Sequence, residues 1–167
     1  SLAPSEMCIR DSFNANSAHP FENPNAWTNM LEIFLILVIP VSLTRTFGKM
    51  VGDTRQGWAV LSAMAVLYFT SLAVVMSSET SLSALHGGGL EGKEYRLGVL
   101  PSSFFAVTTT MTSTGAVDSF HSSYHPLAGG MLILNMMLGE ISPGGVGTGL
   151  YGMLMIAILS VFVAGLM

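Results

Sequence analysis

Residues 101–116 read PSSFFAVTTTMTSTGA, an uncharged run rich in hydroxyls that ends in glycine and lies between strongly apolar segments. Polar backbone at membrane depth is tolerated only where protein buries it or where it lines a water-filled cavity. The chemistry open to such a run is cation binding, with consecutive carbonyls replacing the water shell of the ion. Thr112, Ser113, Thr114 and Gly115 are the filter candidates, and glycine permits the backbone angles that aim carbonyls inward. A plain Ser/Thr-rich turn between two helices is the competing reading. A second candidate is Glu140, a carboxylate in an apolar stretch just before the glycine-rich segment PGGVGTG, residues 143–149. Intramembrane carboxylates face bundle interiors or ion paths. Glu32 is also set in an apolar stretch, but it lies within two turns of Trp27, which fits an interfacial position.

Several lookalikes carry no chemistry. His121 and His125 have i, i+4 spacing, yet position 122 is serine where a zinc protease needs glutamate. Gly147, Gly149 and Gly152 match a dinucleotide glycine pattern, but no strand precedes them. His86 with Gly87, Gly88 and Gly89 resembles a lipase oxyanion loop without its nucleophile elbow. A Walker A motif is absent from the sequence, so nucleotide hydrolysis by this chain is not expected.

The elements that must position these residues follow from composition. The chain is 167 residues long, 50% hydrophobic and 10% charged, against about a quarter charged in a soluble domain. An all-α membrane protein is therefore expected. The net charge of −4 and the scattered basic residues exclude a nucleic-acid surface. The single cysteine, Cys8, excludes an internal disulfide and a cysteine-based metal cluster. Residues 26–47 and 57–78 each reach the roughly 20 apolar residues of a membrane span. Pro40 should kink the first, which Trp27 and Arg45 anchor. Arg45, Lys49 and Arg55 favour a cytoplasmic connector at 48–56, which puts the 79–98 connector outside. Residues 99–110 give about 18 Å of helix, too short to span, and fit a pore helix that enters and stops. The chain then turns at Gly115 and returns outward through 116–126. Residues 127–141 and 149–167 read as one long helix broken at a glycine elbow, with two independent spans as the alternative. The result is a helix, a pore loop and a broken second helix.

Residues 1–12 show no clear periodicity and lack the pattern of a signal peptide. They are read as a non-native or scar segment joined to an internal fragment, which also stops inside an apolar helix at Met167. The polar segment FNANSAHPFENP, with Asn14, Asn16 and His19, reads from its residues alone as a solvated loop.

From residue 13 onward, four ordered blocks resemble one family. FNANSAHPFENPNAWTN, MVGDTRQGWAV, EGKEYRLGVLPSSFFAVTTTMTSTGAVDSFHSSYHPLAGG and LGEISPGGVGTGLYGMLMIAILSVFVAGLM together resemble KdpA, the potassium-translocating subunit of the bacterial Kdp-type P-type ATPase. That resemblance implies four pseudo-repeats of helix, pore loop and helix, related to potassium-channel architecture. Here 13–47 would close the second repeat, 48–56 would be the cytoplasmic connector, and 57–167 would form most of the third. Within the third, 57–78 is the opening span, 79–98 the outer connector, 99–110 the pore helix, 111–116 the filter with its strand at 112–116, and 127–167 the broken helix.

The resemblance makes K+ the transported ion, held by carbonyls of Thr112, Ser113, Thr114 and Gly115, with Ala116 completing the filter strand. The family's second filter typically reads GGGFFNAN, and Phe13, Asn14, Ala15 and Asn16 match its tail without the glycines. Its third filter often carries Cys-Gly where this chain has Thr114 and Gly115. Glu140 matches the family's Gly-Glu, which implies an ion-pathway or gating role for Glu140, Gly144, Gly145 and Gly147. The partners implied are a catalytic P-type ATPase subunit, an accessory periplasmic-facing subunit, a small single-span subunit and membrane lipid, but no nucleic acid. The location implied is the bacterial inner membrane, crossed several times, with ATP hydrolysis on the partner. An uncoupled channel or secondary potassium transporter of the same superfamily shares the pore loops and is the alternative. A membrane structural protein with no ion path would tolerate large substitutions at Gly115 and Glu140.

Overall fold

A computed structural model describes residues 17–18, 20–86, 90–112, 114–139, 142–144 and 149–167; for 82–86 and 149–150 it describes the backbone alone. The described residues form α-helices α1 (Ala26–Met50), α2 (Thr54–His86), α3 (Val99–Met111), α4 (Pro126–Leu138) and α5 (Gly149–Leu166). A single 3-10 turn, His121–Ser123, precedes α4. There are no strands among the described residues.

Local chemistry sets the helix ends. Asn25 is extended, and its backbone N–H donates to the Thr28 hydroxyl at 3.1 Å. The Asn23 side chain donates to Asn29 Oδ1 at 3.1 Å, which ties the approach segment to the first turn of α1. At the far end Gly52 takes φ +80°, and its N–H closes on the Lys49 carbonyl. Asp53 Oδ1 then accepts the Arg55 N–H at 2.9 Å and starts α2.

Only Val51–Asp53 separates α1 from α2, a shorter connector than the expected 48–56. The second helix also outruns its expected end at residue 78 and continues to His86. The sequence contains neither glycine nor proline from Trp58 to His86, so no breaker stops it. Pro40 lies buried inside a continuous α1. Where one broken helix over 127–167 was expected, α4 ends at Leu138 and α5 begins at Gly149.

The helices pack around α3. It contacts α1, α2 and α4, while α5 touches α1. Phe105 sits against Ile33 of α1, and Ala106 and Val107 join Tyr68 and Val75 of α2 and Leu132 of α4. By length and composition α1 and α2 can each cross a membrane. They cross each other at Gly48 and Gly57, where small residues let backbones approach closely. A Cβ on Gly57 would lie 2.7 Å from the Thr44 carbonyl oxygen and 3.2 Å from the Gly48 Cα.

Gly57→Ala in the full-length subunit should therefore separate the two helices at an overpacking cost of about 1–3 kcal/mol. Gly130→Ala meets nothing within 4 Å and should instead stabilise α4 by about 0.5–1 kcal/mol. Thermal unfolding in detergent should shift in opposite directions for the two variants.

Candidate functional site

The thirteen residues of α3 carry no charge, and those from Ser102 to Met111 are buried except for the half-buried Phe104. Enclosing a polar helix this way is costly unless its hydroxyls find partners; its threonines do, whereas Ser102 and Ser103 have none among the described residues. Thr108 donates to the Phe104 carbonyl at 2.9 Å and accepts from Tyr68 of α2 at 2.7 Å. Thr110 donates to the Ala106 carbonyl at 2.7 Å. Asn135 of α4 points its amide nitrogen at the Thr110 hydroxyl, 3.5 Å away, while its Oδ1 accepts from Ser71 of α2 at 2.8 Å. The threonine run is thus the polar glue between α2, α3 and α4.

The C-terminal end of α3 delivers the candidate filter. Thr112 caps it: its N–H and its hydroxyl both donate to the Thr108 carbonyl, at 3.1 and 2.7 Å. Two residues on, the Thr114 N–H reaches the Thr109 carbonyl at 3.3 Å. Gly115 follows with φ +71°, in the left-handed region that disfavours side chains. Gly115 is exposed, Thr114 half-buried and Ala116 buried against Ile33 and Phe105. Thr109 donates to the Ala116 carbonyl at 2.7 Å, and its oxygen lies 2.6 Å from the Thr114 hydroxyl. Among the described residues no hydrogen bond occupies the carbonyls of Thr112, Thr114 or Gly115. The negative end of the α3 dipole lies at this segment, which favours a cation beside it.

A collar of polar residues frames the segment. Glu79 of α2 is fully buried and ion-paired with buried Lys93 at 2.8 Å. Its other oxygen accepts the His125 N–H at 2.9 Å, immediately before α4. The Lys93 ammonium also lies 4.6 Å from the centre of the Tyr124 ring, a cation–π contact. Tyr124 is hydrogen-bonded to Ser119 at 2.7 Å, and Ser119 donates to Asp118 at 3.1 Å. Burial pushes the Asp118 carboxyl up to about 7, opposed by the Ser119 hydroxyl and aided by the Glu32 and Glu94 charges. Burial also lowers the His121 imidazole below its usual range. The Phe120 N–H donates to the Gly92 carbonyl at 2.6 Å, which joins the outer connector to the returning chain.

The sequence places Glu79 and Lys93 in the connector 79–98 without pairing them. The signal that would have placed Glu79 is the buried stripe Met64, Tyr68, Ser71, Val75, whose three- and four-residue steps continue from Val75 onto Glu79.

Of the sequence candidates, the structure brings Thr112, Thr114, Gly115 and Ala116 together at the end of α3. Gly144 is buried with φ +74°. Ser113, Glu140, Gly145, Gly147, Asn14, Asn16 and the 1–12 segment lie outside the described residues. The chain just after Asn16 is anchored to the outer connector: the Arg96 guanidinium donates to the Ala18 carbonyl at 3.1 Å and the Asn23 carbonyl at 3.4 Å. No cluster of three or more histidine, cysteine or carboxylate residues able to hold a metal occurs among the described residues.

Two helices long and apolar enough to span, packed around a short buried helix with no strand among the described residues, define an all-α membrane protein. The chain belongs to the family of the potassium-transporting ATPase A subunit, KdpA, whose family model matches residues 11–167. Similar proteins include the potassium-transporting ATPase potassium-binding subunit of Streptomyces coelicolor, 62% identical over 160 residues, covering 93% of this chain and 29% of the relative. The subunit of the same name from Cutibacterium acnes is 61% identical over 159 residues, with the same coverage of each chain. That of Streptomyces griseus subsp. griseus is 59% identical over 159 residues, again covering 93% and 29%. The chain thus spans less than a third of the length of these relatives.

Glu79→Gln in the full-length subunit would leave the Lys93 ammonium buried without its counter-charge, a loss of about 3–5 kcal/mol. Removing both charges with Glu79→Gln and Lys93→Met should recover part of that loss. Thermal unfolding of the three proteins checks the order.

Proposed function

We propose that this chain is part of the potassium-translocating subunit of an ATP-driven uptake complex, and that it supplies one of several pore loops that together bind K+. The observation that carries the reading is the buried, uncharged α3 followed by Gly115 at φ +71°, with no hydrogen bond on the carbonyls of Thr112, Thr114 or Gly115 among the described residues. In this reading Thr112, Ser113, Thr114 and Gly115 offer carbonyls to K+, and Ala116 closes the strand. Potassium sheds its water most readily where such dipoles are already held in place, because little reorganisation is then needed. Membership of the KdpA family and the printed names of the relatives favour K+ as the cargo.

The domain reading follows the same frame: 13–47 closes a second pore repeat, 48–56 faces the cytoplasm, and 57–167 forms most of a third. Asn14 and Asn16 belong to the tail of the preceding filter. Glu140, Gly144, Gly145 and Gly147 lie on the ion path at the break between α4 and α5. The subunit sits in the bacterial inner membrane, crosses it several times, and leaves ATP hydrolysis to a catalytic P-type ATPase subunit. An accessory periplasmic-facing subunit and a small single-span subunit complete the complex.

In the full-length parent complex, Gly115→Ser puts a side chain on a left-handed residue at a cost of about 1–2 kcal/mol. Apparent potassium affinity should fall roughly tenfold, and discrimination against rubidium should weaken. Unchanged affinity and discrimination would move the ion path away from 112–116. Uptake by the wild-type complex should require ATP and stop with vanadate, whereas a channel or secondary transporter would continue.

A further inference from the structure

Thr109 is buried on α3, and its hydroxyl lies between two points of the returning chain. It is 2.7 Å from the Ala116 carbonyl and 2.6 Å from the Thr114 hydroxyl. A hydroxyl has one proton to give and two lone pairs to receive with. The Ala116 carbonyl can only accept, so Thr109 donates there. The proton shared with Thr114 must then come from Thr114. The Thr109 carbonyl takes a third bond, from the Thr114 N–H at 3.3 Å. One residue of α3 therefore holds the chain on both sides of Gly115, while Gly115 itself is exposed and left-handed.

Two consequences follow for the filter. The Ala116 carbonyl is turned toward α3 and engaged there, so it acts as an anchor. The Thr114 side chain is also spent on Thr109, which leaves the Thr114 backbone carbonyl as the group it can offer to an ion. With both ends pinned to a buried helix, the spacing of the carbonyls between them is set by α3 and not by the ion.

We infer that Thr109 is a positioning residue for selective K+ binding: its hydroxyl sets the geometry of the 114–116 segment without touching the ion. The inference rests on the filter reading above, and the experiment separates failure of one from failure of the other. Thr109→Val keeps the shape and removes the hydroxyl, Thr109→Ser keeps the hydroxyl, and Thr114→Val removes the donor into Thr109. Each is placed in the full-length complex beside Gly115→Ser. Apparent potassium affinity, rubidium discrimination and maximal ATP-driven uptake are measured for all four.

Thr109→Val should weaken apparent affinity about tenfold, the scale of a lost buried hydrogen bond, and relax rubidium discrimination. Uptake at saturating potassium should persist, and Thr109→Ser should behave as wild type. Thr114→Val should shift in the same direction by less. Wild-type affinity and discrimination in Thr109→Val, with Gly115→Ser impaired, would overturn the positioning role and leave the filter standing. If neither Thr109→Val nor Gly115→Ser shifts either quantity, the filter reading fails and the inference with it. Should Thr109→Val not assemble, Thr114→Val decides: a shift supports the role, and wild-type selectivity overturns it.

Discussion

A helix that stops inside an apolar bundle ends in carbonyls with no partner along its own axis, and the structure is organised around that problem. Thr112 answers part of it by turning both its N–H and its hydroxyl back onto the Thr108 carbonyl. Thr109 answers another part by receiving the Thr114 N–H on its own carbonyl. Two other threonines of α3 have tasks on other faces: Thr108 faces Tyr68 of α2, and Thr110 faces Asn135 of α4. The threonine side chains add what leucine could not: hydroxyl bonds from α3 to α2, to α4 and to the chain after Gly115. Each hydroxyl bond contributes only about 1 kcal/mol, but a buried polar group without one costs about 1–3 kcal/mol.

The collar outside this helix meets the same constraint with charge. Glu79 and Lys93 are almost fully enclosed, and neither could be buried alone. Because Glu79 also holds the His125 N–H, one carboxylate fixes α2, the segment around Lys93 and the start of α4 relative to each other. These three pieces surround the segment that returns from Gly115, so its position depends on a buried ion pair as well as on α3.

The parts of this arrangement that could be read from sequence are those encoded locally. The short α3, expected at 99–110 and found at Val99–Met111, is bounded by Gly98 before it and by the hydroxyl-rich turn after it. The left-handed Gly115 follows from the rule that such angles call for glycine. What escaped was long-range pairing. Glu79 and Lys93 are fourteen positions apart with four glycines between them, and nothing local shows that one neutralises the other. Thr109 was hidden among Thr108 and Thr110, since identical neighbours differ only in the face they present. The overlong α2 has a similar origin: hydropathy fades after residue 78, while the backbone needs only the absence of a breaker to continue.

Besides the packing of Ile33 on Phe105, two contacts hold the approach segment and α1 near the helix ends. Near one end Arg96 grips the carbonyls of Ala18 and Asn23; near the other Gly48 lies against Gly57. The twenty-five residues of α1 make a rod of about 37 Å. A rod pinned only at its glycine crossing would be a lever, since a tilt of about 10° would swing its far tip by roughly 6 Å over that length. The packing of Ile33 on Phe105 and the arginine grip on the approach segment together restrict that freedom. The chain that leads into α1 is therefore kept in register with the loop that leads into α3, so that two stretches far apart in sequence share one frame of reference.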